Sequence, residues 1–337
     1  TGGLRGETVA LGDLIDGPDA AAAICRAAAG TDLVGILASG PIARGFASSR
    51  GARAFHAATS WHLDYSLHLS GDKAVKASIA GRDWNEAALQ ASIEDARSRL
   101  ALLTLPVVEV PRGTYRAWLE PAAVNEILAL LAWNGFSERE RRTRQSALLR
   151  LAEGEERLSS MLSLAEVPGD GLAPRFSSDG FERPLCVPLI DAGVSAGSLI
   201  APRTAAEYGL DTDGCDDDES PAALVMAPGM LDARQSVELV GDGVWIGNLW
   251  YLNWSDRAMA RMTGMTRFAS FAVRDGKIAG PLAVMRFDDS VYRMLGDGLL
   301  GLGDVAAWMP DAGSYGRRST SSVAAPGALI DAFRFAL

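Results

Sequence analysis

The sequence has few cysteines and no long apolar segment, and each absence excludes a class of protein. The three cysteines, Cys25, Cys186 and Cys215, give no even count for a disulfide framework and no paired spacing typical of a zinc site. No run of residues approaches the ~18 apolar residues typical of a membrane span. We therefore expect a soluble protein without a membrane partner, and the scattered thiols favour the reducing cytoplasm.

The chain also lacks a basic excess, since its formal net charge is −10 at pH 7. A nucleic-acid-binding protein needs a basic face that neutralises phosphates, and the basic residues 139–150 follow or alternate with Glu138 and Glu140. No glycine-rich phosphate loop occurs, and Gly197-Ser198 lacks the second glycine of a serine-hydrolase elbow. The sequence therefore predicts no nucleic-acid partner, and no nucleotide-binding or serine-nucleophile motif is recognisable.

Helix and strand patterns are both present, but they do not alternate regularly along the 337 residues. This arrangement is typical of an α+β fold, and the length allows two domains. We predict a mixed α+β N-terminal part, residues 1–110, followed by a larger, mainly antiparallel β domain, residues 111–337. The core of the larger sheet is predicted from residues 180–308. We also expect that a further N-terminal portion precedes this sequence in the full-length protein.

Two turn signals predict how particular strands are arranged. Thr31–Ala47 is predicted as a pair of strands interrupted at Gly40-Pro41. Asp275-Gly276 suits the two positive-φ positions of a type I′ turn, and it predicts an antiparallel hairpin between the strands on either side.

A predicted strand with one polar face, residues 61–69, contains His62 and His68, and the third histidine, His56, lies shortly before it. Residues 61–69 alternate between apolar and polar side chains, and His56, His62 and His68 are six residues apart. Six residues of strand span roughly 20 Å, whereas the ligands of one zinc ion lie about 2 Å from it. These histidines therefore cannot share a metal ion, and we expect a groove-lining or solvated polar face with His62 and Asp64 as candidate peptide-binding residues.

The C-terminal region contains several elements in a recognisable order. They are the strand 243–252, Asn253, Thr263-Gly264, the turn 275–282 and the segment 299–308. In this order they resemble the TldD/PmbA family, and the resemblance extends from about Arg112 to the end. It implies a subunit of a heterodimeric metalloprotease that cuts small or unfolded peptides, with zinc in one subunit. It also makes Asn253, Thr263, Gly264 and Arg267 candidate peptide-binding residues.

The zinc ligands of that family are replaced in this chain. Where its zinc-bearing subunits have His-Glu-x-x-x-His, this sequence has Asn125, Glu126 and Leu130, and Ala312 stands where they have a cysteine. Asn is a poor zinc ligand, and Leu and Ala offer no donor atom. The resemblance therefore implies the metal-free, TldE/PmbA-type subunit, with no catalytic residue, metal or cofactor of its own. Glu126 is predicted to lie on the solvent face of its helix.

The function that follows is a non-catalytic partner of a zinc-bearing TldD-like homologue, with zinc in that partner only. Two alternatives stay open. One is a subunit of an enzyme pair that hydrolyses an amide or peptidyl conjugate in natural-product biosynthesis. The other is a stand-alone binding or scaffold protein.

An acidic tract, residues 212–219, contains five carboxylates and one thiol. Carboxylate oxygens suit calcium or magnesium, but the tract lacks the Asp-x-Asp-x-Asp-Gly order of a calcium loop. The composition therefore favours a mobile, solvated loop.

Overall fold

A computed structural model describes residues 5–71 and 73–336. The first part of the chain forms a four-stranded sheet with two helices. Its elements are β1 (Arg5–Ala10), α1 (Gly17–Ala27), β2 (Asp32–Ala47), β3 (Arg53–Ser70), β4 (Lys73–Gly81) and α2 (Glu86–Leu102). The long strand β3 is central: it pairs with β2 along one edge, and with β1 and then β4 along the other.

The predicted interruption of β2 at Gly40-Pro41 is wrong, because β2 is one continuous strand of 16 residues. Gly40 and Pro41 keep the register of the ladder and pair with Ser60 and Thr59 of β3. Among the described strands β2 pairs only with β3, so it lies at an edge of the sheet. Proline is tolerated in an edge strand because its missing N–H group removes no ladder hydrogen bond there.

The rest of the chain forms a 13-stranded mixed sheet with short helices. Its first elements are β5 (Gly113–Leu119), α3 (Pro121–Ala132), α4 (Glu138–Arg142), α5 (Leu149–Ala152), β6 (Leu164–Glu166), β7 (Val187–Asp191), β8 (Val194–Ser195), α6 (Pro202–Tyr208), β9 (Ala223–Met226) and α7 (Ser236–Val240). The remaining strands are β10 (Gly243–Ile246), β11 (Leu249–Asp256), β12 (Arg261–Thr266), β13 (Ser270–Arg274), β14 (Lys277–Pro281), β15 (Arg286–Ser290), β16 (Leu299–Pro310) and β17 (Ser322–Phe335).

The predicted α+β class with a mainly antiparallel second part is confirmed, but the sheet is larger than expected. Its strands come from Gly113 to Phe335 rather than from residues 180–308 alone, since β5 and β17 pair at its centre. Two of its pairings, β5 with β10 and β9 with β17, are parallel. The chain division near residue 110 stays a prediction.

The predicted hairpin at Asp275-Gly276 is confirmed. The φ angles of these residues are +48° and +67°, and β13 and β14 pair antiparallel on either side. Both central residues therefore occupy the left-handed region that a type I′ turn requires.

One hydrophobic core joins the two sheets. Side chains of β3, among them Trp61 and Leu63, pack together with α2 and with Trp118 and Trp245 of the large sheet. The backbone of β17 passes so close to Trp118 that a Cβ atom at Gly327 would lie 2.4 Å from the indole ring. One face of β3 is therefore buried in this core, whereas its opposite face does not contribute to it.

The acidic tract is solvated only in part, since Asp217 and Asp218 are exposed but other carboxylates of the tract are held inside. Glu219 is fully buried, and its carboxylate accepts hydrogen bonds from the Ser137 hydroxyl and from the backbone N–H groups of Arg139 and Ala201. Asp213 likewise accepts two backbone hydrogen bonds, each at 2.8–2.9 Å. These carboxylates organise neighbouring loops, because backbone N–H groups stabilise buried negative charge.

Candidate active site

A cavity of about 520 Å³ lies between the four-stranded sheet, helix α3 and the end of β16. We call it the main cavity. Its principal side chains are His62, Asp64, Lys76, Ser78, Asn125, Glu126, Ala129, Asn248, Trp308, Ala312 and Ser321. These residues come from β3, β4, α3 and three later segments of the chain, so the tertiary fold alone creates the cavity.

The sheet wall follows from the alternation of β3 and β4. His62 and Asp64 are two residues apart on β3, and the ladder places Asp64 opposite Ser78 of β4. Alternate residues of a strand lie on the same face, so these side chains share the face that the core does not use. Lys76 Nζ lies 3.9 Å from Asp64 Oδ2, and both side chains are about one-third exposed. This exposed ion pair forms the rim of the wall and contributes little stability.

Helix α3 forms the opposite wall. Pro121 occupies its first turn, where a missing backbone N–H group costs no hydrogen bond. Val124, Ile127, Leu128 and Leu131 are buried against the large sheet, as the apolar periodicity predicts. The face that remains presents Asn125, Glu126 and Ala129 to the main cavity.

The places of the family's metal ligands do not come together in this chain. Asn125 lines the main cavity, but Leu130 is only 6% exposed and belongs to the hydrophobic core. Residues five apart on a regular α-helix point roughly 140° away from each other, and α3 is such a helix. Ala312 lines the cavity without a donor atom. This set of residues does not fit a catalytic zinc ion, and residues 5–71 and 73–336 contain no cluster of three or more His, Cys, Asp or Glu side chains that could hold a metal.

Glu126 does not lie on a solvent-exposed face, so that prediction is wrong. It lines the main cavity and is half-buried, with no hydrogen bond or ion pair to any described residue. Burial raises the pKa of its carboxyl group, and the positive charge of Lys76 partly opposes this shift. A carboxyl group in this setting can either accept or donate a hydrogen bond to a bound ligand.

His62 has the most unusual environment of the cavity residues. It is 3% exposed, and neither ring nitrogen forms a hydrogen bond of normal geometry within the described chain, although the Ala312 backbone lies close enough to affect the ring. Burial lowers the pKa of the ring, and the charge of Arg318 lowers it further, while the nearby Ala312 backbone and Asp64 act in the opposite direction. The imidazole is therefore neutral at pH 7 and offers one donor and one acceptor.

Trp308 adds a second unsatisfied group to the same cavity. Its indole Nε1–H is buried without an acceptor in the described part of the chain. Buried polar atoms without partners cost about 1–3 kcal/mol each, so they are rare and they mark places where a ligand or water completes the hydrogen bonds. The main cavity is therefore suited to a ligand with both donors and acceptors, such as a peptide backbone.

The other histidines lie outside this cavity. His56 is buried, with Nε2 hydrogen-bonded to Leu172 O at 3.0 Å, and His68 is near the far end of β3. Of the predicted binding residues, the structure thus brings His62 and Asp64 into one site.

The remaining candidates lie on the β11–β12 hairpin or, for Arg267, directly after it. Asn253 and Thr263 are paired across it, and the Thr263 hydroxyl donates to Phe287 O at 2.9 Å. A Cβ atom at Gly264 would lie 2.8 Å from the Phe287 ring, and the Arg267 guanidinium stacks 4.3 Å from the centre of the Trp250 ring. None of these four residues lines the main cavity.

Lys76, Asn248 and Trp308 belong to the site but were not predicted from the sequence. Lys76 is an ordinary polar position on β4, and Trp308 looks like any core aromatic. Only the packing of β16 against the four-stranded sheet brings Trp308 to the cavity, and no local pattern encodes that packing.

A comparison with protein-family models decides the family. Residues 112–337 match the model of the PmbA/TldA metallopeptidase C-terminal domain. The chain belongs to the PmbA/TldD family. A search of curated proteins finds no match, and no helix of the described chain is both long and apolar enough to cross a membrane.

Solved structures share the PmbA/TldD fold of this chain. TldE from Thermococcus kodakarensis aligns with a TM-score of 0.74 at 15% identity, covering 90% of this chain and 69% of its own. A candidate DNA gyrase modulator from Thermotoga maritima gives 0.75 at 14%, covering 95% and 73%. A candidate DNA gyrase modulator from Bacteroides thetaiotaomicron gives 0.76 at 17%, covering 97% and 74%. At these identities the likeness concerns the fold alone.

Proposed function

We propose that this chain is a non-catalytic partner subunit that binds part of a peptide in its main cavity, while a zinc-bearing homologue carries out cleavage. The observation that carries the proposal is the state of helix α3. It lines a cavity of about 520 Å³, yet Asn125 offers a poor ligand and Leu130 is buried in the core. A cavity without a metal site supports substrate binding without hydrolysis.

The main cavity has the properties of a peptide-binding site. Its volume lies within the range of about 300–1,000 Å³ that is typical of ligand sites. The unpartnered imidazole of His62 and indole of Trp308 can hydrogen-bond to peptide N–H and C=O groups. Among the described strands β4 pairs only with β3, so an extended peptide can add to its second edge through main-chain hydrogen bonds. Such binding recognises the backbone and accepts many sequences.

The proposed partner is a homologue with an intact His-Glu-x-x-x-His helix, and the proposed cofactor of the complex is zinc in that homologue. One of the similar structures is named TldE, and the family resemblance of the sequence implies a heterodimer in which one subunit carries zinc. Two subunits of one fold commonly meet across a pseudo-twofold axis, so one can lose its metal while the shared interface is kept. We place the complex in the cytoplasm, because all three cysteines are free thiols in the structure.

The test is a cleavage assay with an unstructured peptide after co-expression with a His-Glu-x-x-x-His homologue. Ala129→Trp fills the main cavity from an exposed position on α3, and Ala87→Trp is the matched control on an exposed part of α2. We expect co-purification with both variants, but a loss of cleavage of about tenfold or more with Ala129→Trp only, equivalent to 1.4 kcal/mol of lost binding. Full cleavage with Ala129→Trp, or cleavage by the wild-type chain alone, would contradict the proposal.

A further inference from the structure

A second cleft, of about 650 Å³, lies beside the main cavity, and Ser321 lines both. We call it the arginine cleft. The polar side chains that matter for its chemistry are Arg44, Arg183, Asp216, Arg317, Thr320 and Ser321. The cleft joins the middle of β2 to the segment that precedes β17.

Positive charge in the arginine cleft is not compensated. Neither Arg44 nor Arg317 forms an ion pair with a carboxylate of the described residues. Arg44 donates only to the carbonyl oxygens of Ala43 and Arg318, at 3.0 and 3.2 Å. Burial lowers the pKa of Arg44, and the positive charge of Arg317 lowers it further. Two neighbouring guanidinium groups without a counter-ion repel each other, so an anion placed between them would be stabilised.

Arg318 follows Arg317 in the sequence, but its side chain does not line the cleft. Arg318 donates to Gly40 O at 2.9 Å and to the Ser60 hydroxyl at 2.6 Å, both of which are neutral acceptors. Burial lowers its pKa as well. Arg44 and Arg317 are therefore the two guanidinium groups of the cleft that have no carboxylate partner among the described residues.

Among the described residues that line the cleft, the single carboxylate does not neutralise this charge. Asp216 accepts hydrogen bonds from the Ser178 N–H and hydroxyl groups at 2.8 and 3.0 Å, and it is paired with Arg183. The side-chain hydroxyls of Thr320 and Ser321 make no hydrogen bond within the described chain, so they are available as additional donors. Guanidinium groups with nearby hydroxyl donors are the arrangement that proteins use to bind carboxylate and phosphate groups.

We propose that the arginine cleft is an oxyanion-binding site that takes a carboxylate or a phosphate group through Arg44 and Arg317. The chemistry shared by the two groups is a planar or tetrahedral set of oxygens that accepts hydrogen bonds from a guanidinium. Where the proposed function also holds, the position of Ser321 between the two cavities assigns the cleft to the terminal carboxylate of a peptide that occupies the main cavity. Anion binding itself does not depend on that function.

The experiment measures thermal stability and binding of the full chain, with inorganic phosphate as the first probe and acetyl-Ala-Ala as free acid or amide as the second. Ionic strength is held constant with sodium chloride. Arg317→Gln removes an exposed arginine of the cleft, Arg44→Gln removes its neighbour, and Arg50→Gln is the matched control outside the cleft. A ligand that binds only the folded state raises the melting temperature, so the probes report directly on the site.

We expect phosphate or the free-acid peptide, but not the amide, to stabilise the wild type and Arg50→Gln. Arg317→Gln and Arg44→Gln should bind the effective anion about tenfold more weakly or worse. Without anion, Arg317→Gln should melt no lower than the wild type, because it removes a like-charge contact. Stabilisation by neither anion, or equal weakening in Arg50→Gln, would overturn the proposal. The two proposals can fail separately. If the wild type binds phosphate but Ala129→Trp leaves cleavage intact, the proposed function is rejected and the oxyanion site is kept.

Discussion

Substituting histidine for Asn125 and Leu130 tests whether helix α3 can hold a zinc ion at all. Leu130 is 6% exposed within the hydrophobic core, whereas Asn125 is half-buried at the cavity surface. Leu130→His removes about 1.5–3 kcal/mol of apolar burial and buries an imidazole without a partner, which costs about 1–3 kcal/mol. We therefore expect Leu130→His to lower the free energy of unfolding by about 3–5 kcal/mol.

Asn125→His is the matched comparison on the same helix. Its side chain faces the main cavity, so the change should alter the free energy of unfolding by less than about 1 kcal/mol. Urea denaturation followed by circular dichroism measures both effects. The double variant should still bind no zinc, because its two histidines point roughly 140° apart on a regular helix. Equal stability of the two single variants, or one tightly bound zinc ion in the double variant, would refute this account of α3.

Three further predictions concern stability. His62→Gln should make the free energy of unfolding less dependent on pH below about 6.5. Burial lowers the pKa of this ring in the folded state, so as the pH falls the unfolded state takes up a proton first and the wild type loses stability. Denaturation at pH 7.5 and 5.5 tests this, and an unchanged slope would contradict it. Glu219→Ala should cost about 3 kcal/mol or more, because three donors lose a charged acceptor, while the exposed Asp218→Ala should cost less than about 0.5 kcal/mol; similar midpoints would argue against a structural role for Glu219. Gly264→Ala should destabilise by about 1–3 kcal/mol through a clash with Phe287, unlike Gly6→Ala, which meets no atom within 4 Å; a neutral result at Gly264 would show that the hairpin can shift.

Features set by local sequence could be predicted well. The Asp275-Gly276 turn requires positive φ at two positions, and few other residue pairs supply it at low cost. The apolar stripe of α3 and the alternation of β3 specify which faces are buried. The inward side chains of α3 were identified correctly, as were those of β3 from Trp61 to Leu67, but Leu69 at the end of β3 is 42% exposed.

Features set by tertiary contacts could not be predicted in the same way. A proline usually interrupts a strand, but Pro41 removes no ladder hydrogen bond because β2 lies at the edge of the sheet. The acidic tract is hydrophilic in composition, yet Glu219 is buried because donors from distant segments converge on it. Glu126 was assigned to solvent because a single helix cannot reveal that β3 and β16 close a cavity over it.

The central claim is that the metal-bearing site of the complex lies in the other subunit. The most direct test is elemental analysis of the complex co-purified with a His-Glu-x-x-x-His homologue, together with each chain purified alone. The account predicts about one zinc ion per heterodimer and about one in the homologue alone, since its helix supplies the ligands. Stoichiometric zinc bound by this chain alone, with Asn125, Leu130 and Ala312 as in the wild type, would contradict it.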